Sequence, residues 1–100
     1  MDTMHPSDGA RFLLVQDQGS SQQDSVNYKA SIYTPSDRFD YQVSLSLEGM
    51  SKLNPGERTA DPHLERKLGT IARIVARDAA RRHSQGIAPW PARILRWREG

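Results

Sequence analysis

The sequence predicts an α+β fold, a two-layer sandwich in which one long helix packs on one face of an antiparallel sheet of three to four strands. Two neighbouring segments, about 26–34 and 39–48, alternate apolar and polar residues, which is typical of strands that bury one face. A third segment, about 62–84, carries apolar residues at helical spacing. The predicted order of elements is β-β-β-α-β.

The length of 100 residues supports a single domain with one core. Residues 1–10 include Pro6 and Gly9, which interrupt regular structure, so we expect a flexible leader there and one α+β domain over 11–100. The leader lacks the basic and apolar regions of a secretory signal peptide, and the sequence has no cysteine. We therefore expect a cytoplasmic protein. No apolar run is long enough to cross a bilayer, so no membrane contact is expected.

The first three strands follow from short-range pattern. The apolar run at 12–15 predicts a strand over 11–16, and the polar segment 17–25 predicts a loop. Thr34 to Arg38 supplies turn residues between the two alternating strands, with Asp37 expected to cap the turn. The apolar residues of the hairpin are Val26, Tyr28, Ala30, Ile32, Phe39, Tyr41, Val43, Leu45 and Leu47.

The segment 49–60 is expected to be a connection to the helix, with a turn at 54–56. Asp61 is a candidate N-cap, Pro62 suits the first helical position, and Gly86 is expected to end the helix. Beyond it, 92–98 is expected to form an edge strand, with a second helix as the alternative. The apolar helix stripe consists of Leu64, Leu68, Ile71, Val75 and Ala79.

Residue types and spacing do not predict an enzyme. The glycines do not fall in dinucleotide-binding or Walker spacing, no Gly-x-Ser-x-Gly turn is present, and the three histidines are scattered. We therefore expect no catalytic residues, no bound cofactor and no metal site. The order of elements resembles that of many small bacterial domains of unassigned role, and no motif carries functional residues over from a known family.

Charge is divided unevenly along the chain. Residues 1–61 carry nine acidic and five basic side chains, whereas residues 62–100 carry three acidic and nine basic ones. A basic surface of this kind is typical of contact with an anionic partner, and the alternative is a solvated helix face. The candidate contacts to an anionic partner are Arg66, Arg73, Arg77 and Arg81 on the helix, with Arg93 and Arg96 in the C-terminal segment.

Two tryptophans complete the candidate residues. Trp90 lies between Pro89 and Pro91, and Trp97 lies among the C-terminal arginines. Each is a candidate anchor for a protein partner, because tryptophan is favoured at the centres of interfaces. For Trp90 the alternative is a place at one end of the core.

These observations lead to one hypothesis and one alternative. The hypothesis is a small non-catalytic protein-interaction module. Its partner is either a second copy or a different protein, which would pair with an open edge of the short sheet. The alternative is nucleic-acid binding through the outer face of helix 62–84 and the Arg/Trp-rich C-terminus, with arginines contacting successive phosphates and tryptophans stacking on bases.

Overall fold

The computed structural model describes residues 5–17 and 24–99, which form one antiparallel sheet with one helix packed across one of its faces. The predicted α+β sandwich is confirmed. The strand order is β4-β3-β2-β1-β5, so β4 and β5 are the two edges. The elements are β1 (Ala10–Gln16), β2 (Ser25–Tyr33), β3 (Arg38–Ser46), β4 (Ser51–Pro55), α1 (Pro62–Ser84) and β5 (Arg93–Arg98).

The predicted hairpin is formed by β2 and β3, with Tyr28 opposite Val43 and Ala30 opposite Tyr41. We expected Asp37 to cap the turn between them, but Thr34 caps it instead. Thr34 Oγ1 accepts a hydrogen bond from the Asp37 amide at 2.9 Å, whereas the Asp37 carboxylate forms an ion pair with Arg58 at 3.6 Å. A hydroxyl one residue after the strand reaches the turn amide, which leaves the carboxylate to a charged partner.

Helix α1 places its apolar stripe on the sheet, and the core lies between the two layers. Leu68, Ala72, Ala76 and Ala79 are completely buried. The remaining core residues come from both layers and include the predicted hairpin positions except Phe39 and Leu47, which are partly buried and pack against the core. They are Ala10, Phe12, Leu14, Val26, Tyr28, Ala30, Ile32, Tyr41, Val43, Leu45, Ala60, Leu64, Ile71, Val75, Trp90 and Ile94.

The ends of α1 agree only in part with prediction. The Asp61 carbonyl accepts from the Glu65 amide at 3.0 Å, which starts the helix, but the exposed Asp61 carboxylate makes no capping hydrogen bond. The expectation of a side-chain N-cap is therefore wrong, because the carboxylate is turned to solvent. At the other end, Gly86 has a φ of +75°, and the Ile87 amide donates to the Arg82 carbonyl at 2.9 Å. This glycine ends the helix, as predicted.

The sheet has five strands where three to four were expected, because β4 forms within the segment expected to be a connection. Its five residues pair with β3, with Leu53 opposite Val43. Only Leu53 is partly buried, and the other four side chains are exposed. An edge strand that buries only one side chain does not alternate apolar and polar residues in the sequence, so it cannot be recognised from the residue pattern. The expected edge strand near the C-terminus is confirmed as β5, paired with β1, and the alternative of a second helix is excluded.

The segment expected to be a flexible leader contacts the sheet over its described part. A hydrogen bond of 2.7 Å joins His5 Nδ1 to the Thr34 carbonyl oxygen, and the rings of His5 and Tyr33 form a T-shaped pair with their centroids 5.3 Å apart. Pro6 is buried, and Ala10 is already part of β1. Residues 1–4, and most of the predicted loop 17–25, lie outside the described residues.

Candidate interaction site

Helix periodicity places a row of arginines on the side of α1 that is turned away from the core. Arg66, Arg73 and Arg77 are all exposed. Within the described residues no carboxylate lies in ion-pair distance of these three, whereas Arg81 pairs with Asp78 at 3.3 Å. The Arg73 guanidinium donates instead to the neutral Thr70 hydroxyl at 3.2 Å. Three of the four predicted helix contacts therefore carry positive charge with no carboxylate of the described residues within ion-pair distance.

This row borders a groove between α1 and the edge strand β4. One part of the groove, about 510 Å³, is lined by Leu53 of β4 together with Arg66, Gly69, Thr70 and Arg73 of α1, among others. The groove has room for a methyl group at Gly69, where a Cβ would make an ordinary van der Waals contact of 3.8 Å with Leu53 Cδ1. We call this surface and its continuation the basic groove.

The groove continues along the helix towards the turn between β3 and β4. This second part, about 380 Å³, is lined by Leu47, Glu48, Ala76 and Arg77 among others, and it shares Arg73 with the first part. The basic groove thus combines cationic side chains with apolar ones and with a few carboxylates. Such a mixed lining is typical of protein-binding surfaces.

Along this groove the backbone of β4 has groups that no strand of the described residues pairs. Hydrogen bonds from the Ser46 amide to the Met50 carbonyl (3.1 Å) and from the Gly56 amide to the Asp40 carbonyl (2.8 Å) flank the strand. Antiparallel pairing alternates from residue to residue, so the backbone groups of Ser51 and Leu53 are directed away from β3. Pro55 has no amide to contribute.

The opposite edge, β5, is protected by its own arginines. The Arg96 guanidinium donates to the Leu95 carbonyl at 2.9 Å, and the Arg98 guanidinium donates to the Trp97 carbonyl at 2.8 Å. The Gln16 amide donates to the Ala92 carbonyl at 2.8 Å, a register that directs the carbonyls of Leu95 and Trp97 outward. Charged side chains along an edge oppose pairing with another strand. In the described residues no side chain donates in this way to the outward carbonyls of Ser51 and Leu53, so β4 is the more open edge of this sheet.

The two tryptophans have different environments. Trp90 is 8% exposed and belongs to the core. The structure therefore shows the alternative interpretation of Trp90, a place at one end of the core. Trp97 is 44% exposed on the face of the sheet that α1 does not cover, and its Nε1 donates to the Asp8 carbonyl at 3.1 Å. Its ring lies against Gly9, where a Cβ would come within 2.9 Å. Trp97 therefore holds the segment before β1 while keeping part of its ring accessible.

The sheet separates the candidate residues of the C-terminal segment from each other and from the groove. Arg93 lies on the uncovered face with Trp97, because both alternate with Ile94, which is buried under α1. Arg96 shares the helix side with Ile94, but it lies at the β5 edge, and three strands separate it from β4. The expected basic and aromatic surface therefore does not form as one patch.

Sequence reasoning missed Ser51 and Leu53 as residues of the groove. Segment β4 has no periodic pattern that would have predicted a strand there.

The uncovered face carries a polar network and some exposed apolar surface. Asp40 accepts hydrogen bonds from the Ser31 hydroxyl at 2.8 Å and from Arg38 Nε at 3.0 Å, so these groups satisfy one another. Val15 and Leu95 are 41% and 38% exposed. Leu13 lies directly opposite Leu95, and Val15 and Trp97 are two residues along the same strands, so these side chains share one part of the uncovered face.

Two tyrosines have altered pKa values for structural reasons. Burial raises the pKa of Tyr28 to about 12, partly offset by the charge of Arg82, and its hydroxyl donates to the Pro91 carbonyl at 2.7 Å. Burial also raises the pKa of Tyr41, whose hydroxyl accepts from the Ala60 amide at 2.9 Å and donates to Glu65 at 2.8 Å. Both hydroxyls join the sheet to neighbouring segments.

Among residues 5–17 and 24–99, no three His, Cys, Asp or Glu side chains are grouped so that they could hold a metal ion. The helix in this part of the chain is not apolar enough to cross a lipid bilayer. Comparisons with protein-family models, with curated proteins and with solved structures found no match for this chain. The basic groove is thus identified from its own chemistry.

Proposed function

We propose that this chain is a non-catalytic protein-interaction module that binds its partner in the basic groove. The observation that carries the proposal is the position of Arg66, Arg73 and Arg77 beside the open edge of β4. All three are exposed, and no carboxylate of the described residues lies within ion-pair distance of them. The arginines supply electrostatic attraction, and the strand edge supplies backbone hydrogen bonds. We place this interaction in the cytoplasm, which suits a chain without cysteine.

The groove lining favours a protein over a nucleic acid. Leu47 and Leu53 contribute apolar surface, which apolar side chains of a protein can cover and a charged phosphate backbone cannot. The tryptophan with an accessible ring, Trp97, lies on the opposite face of the sheet, where it cannot stack on bases bound at the helix.

Nucleic-acid binding is the second candidate function, and the arginine row favours it. Positions 66, 73 and 77 lie on one side of α1, so their guanidinium groups can contact successive phosphates.

A second copy is a less favoured partner. The arginines of β5 oppose pairing of that edge. Two β4 edges that paired in antiparallel fashion about a twofold axis would bring both α1 helices to the same face of the joint sheet. The arginine rows of the two copies would then face each other and repel.

The test is capture of a partner from extract of the source cell, treated with nuclease, on immobilised protein. We expect the wild type to retain a nuclease-resistant protein and the double variant Arg73→Gln/Arg77→Gln to lose it. The control Lys29→Gln/Arg93→Gln removes the same charge from the uncovered face and should retain the partner. Equal retention by the groove variant, or retention that requires nucleic acid, would contradict the proposal.

Fluorescence anisotropy with labelled single- and double-stranded oligonucleotides at low salt tests the second candidate. Nucleic-acid binding through the three arginines predicts a salt slope of about 2–3, since each phosphate contact contributes roughly 0.7–0.9. Arg73→Gln/Arg77→Gln would then lower the salt slope by the contribution of about two phosphate contacts. We expect no binding of this kind.

A further inference from the structure

We infer that the partner is an extended acidic segment that adds to β4 as a sixth strand, with its acidic side chains at every second position facing the arginines of α1. This inference rests on the proposed function and names the chemical class and the binding mode of the partner. It joins the two features of the basic groove, a row of cations and an open strand edge, in one bound conformation.

The backbone of β4 determines the mode of binding. Ser51 and Leu53 direct their amides and carbonyls away from β3, and both positions lie at an edge of the sheet. A segment in extended conformation can pair with these groups at the ordinary strand spacing of about 4.8 Å. A helical ligand would leave the same groups unpaired.

Strand geometry determines which side chains of the partner meet the arginines. The Leu53 side chain lies on the helix side of the sheet, where it packs against the core. Partner residues directly opposite Leu53 and Ser51 place their side chains on that same side, because paired residues in a sheet share a face. They enter the groove beside Arg66, Arg73 and Arg77, while the residues between them face away.

Charge determines the residue type at these alternating positions. In the described residues these three arginines have no carboxylate within ion-pair distance, so an acidic side chain gains attraction without displacing an existing pair. Arginine binds a carboxylate through two parallel hydrogen bonds, which favours Asp or Glu over a neutral residue.

The probe is a fluorescein-labelled peptide of alternating Glu and Val, with acetylated and amidated ends, measured by fluorescence anisotropy against the full chain. Two control peptides carry Lys in place of Glu, or the same composition with the glutamates in one block. We expect the alternating acidic peptide to bind, the Lys peptide to fail, and the block peptide to bind more weakly. Equal binding of the alternating and block peptides would overturn the inference that acidic side chains at every second position face the arginines.

Protein variants test the two halves of the site. Arg73→Gln/Arg77→Gln should weaken peptide binding roughly two- to thirtyfold, the range expected for two exposed ion pairs. The control Lys29→Gln/Arg93→Gln should have no effect. Ser51→Pro should weaken binding because it removes an outward amide, and Ser51→Ala, which keeps that amide, should not.

Amide hydrogen exchange of the wild type tests strand addition without any substitution. Saturating peptide should slow exchange of the Ser51 and Leu53 amides by about tenfold or more, while Lys52 and Asn54, already paired with β3, change little. Peptide binding without this protection would overturn strand addition.

The remaining outcomes separate this inference from the proposed function. If the acidic peptide does not bind but extract still yields a nuclease-resistant protein that requires Arg73 and Arg77, the inference is wrong and the interaction module stands. Tighter binding of an oligonucleotide than of the peptide would overturn both. Concentration-dependent dimerisation that is lost in Ser51→Pro would replace the acidic segment by a second copy.

Discussion

The Tyr41 hydroxyl joins three segments, and its removal is the perturbation with the most defined consequence. Tyr41 is 4% exposed in β3, accepts from the buried Ala60 amide at 2.9 Å and donates to Glu65 of α1 at 2.8 Å. Tyr41→Phe keeps the ring and deletes only this oxygen. The variant therefore tests whether the link holds the start of α1 on the sheet.

The expected loss follows from the two hydrogen bonds. The Ala60 amide is left buried without an acceptor, which costs about 1–3 kcal/mol, whereas the partly exposed Glu65 can turn to water at little cost. We therefore expect Tyr41→Phe to lower the free energy of unfolding by about 1–3 kcal/mol. This is a large share of the roughly 5–15 kcal/mol typical of a domain.

Urea denaturation followed by circular dichroism measures this difference. The matched control is Tyr33→Phe, because Tyr33 is 6% exposed and its ring packs against His5 without a hydrogen bond of its hydroxyl in the described residues. This control should change stability by less than about 0.5 kcal/mol. Equal effects of the two substitutions would refute the role of the Tyr41 hydroxyl, and a double-mutant cycle with Glu65→Ala would measure the share of the second bond.

Two further predictions concern the core and pH dependence. Leu68→Ala should destabilise the domain by about 2–5 kcal/mol in the same assay, because Leu68 is completely buried between α1 and the sheet; a loss below about 1 kcal/mol would contradict that packing. Because burial raises the pKa of Tyr28 from 10.0 to about 12, its contribution to stability should be complete below pH 10 and should be lost as pH rises through 12. Tyr28→Phe should remove this pH dependence in alkaline denaturation, and an unchanged profile would contradict the assignment.

Local periodicity was sufficient to predict the hairpin and the helix. Val43 and Leu45 alternate with polar residues, and Leu68 and Ile71 recur at helical spacing, so each segment specifies its own buried face. The same periodicity predicted that Arg66, Arg73 and Arg77 would be exposed. These features depend on residues close together in the chain, and therefore they can be recognised in the sequence.

The identity of the strand at each edge, and of the exposed tryptophan, depended on tertiary structure. Segment 51–55 becomes a strand through its pairing with β3, because a single partly buried residue, Leu53, leaves no pattern. Trp97 faces away from the helix because it lies opposite Arg11 in β1, whereas Trp90 precedes the strand and closes the core.

The basic groove likewise depends partly on features that the sequence predicts and partly on the tertiary structure. The sequence by itself determined that α1 exposes a row of arginines, because the helical repeat sets which residues share a face. Only the tertiary structure decided that this row lies beside β4, an open edge, and not beside β5, whose edge carbonyls are occupied by Arg96 and Arg98. Strand order arises from hydrogen bonds between distant segments, and side-chain periodicity within one segment carries no information about which neighbour completes those bonds.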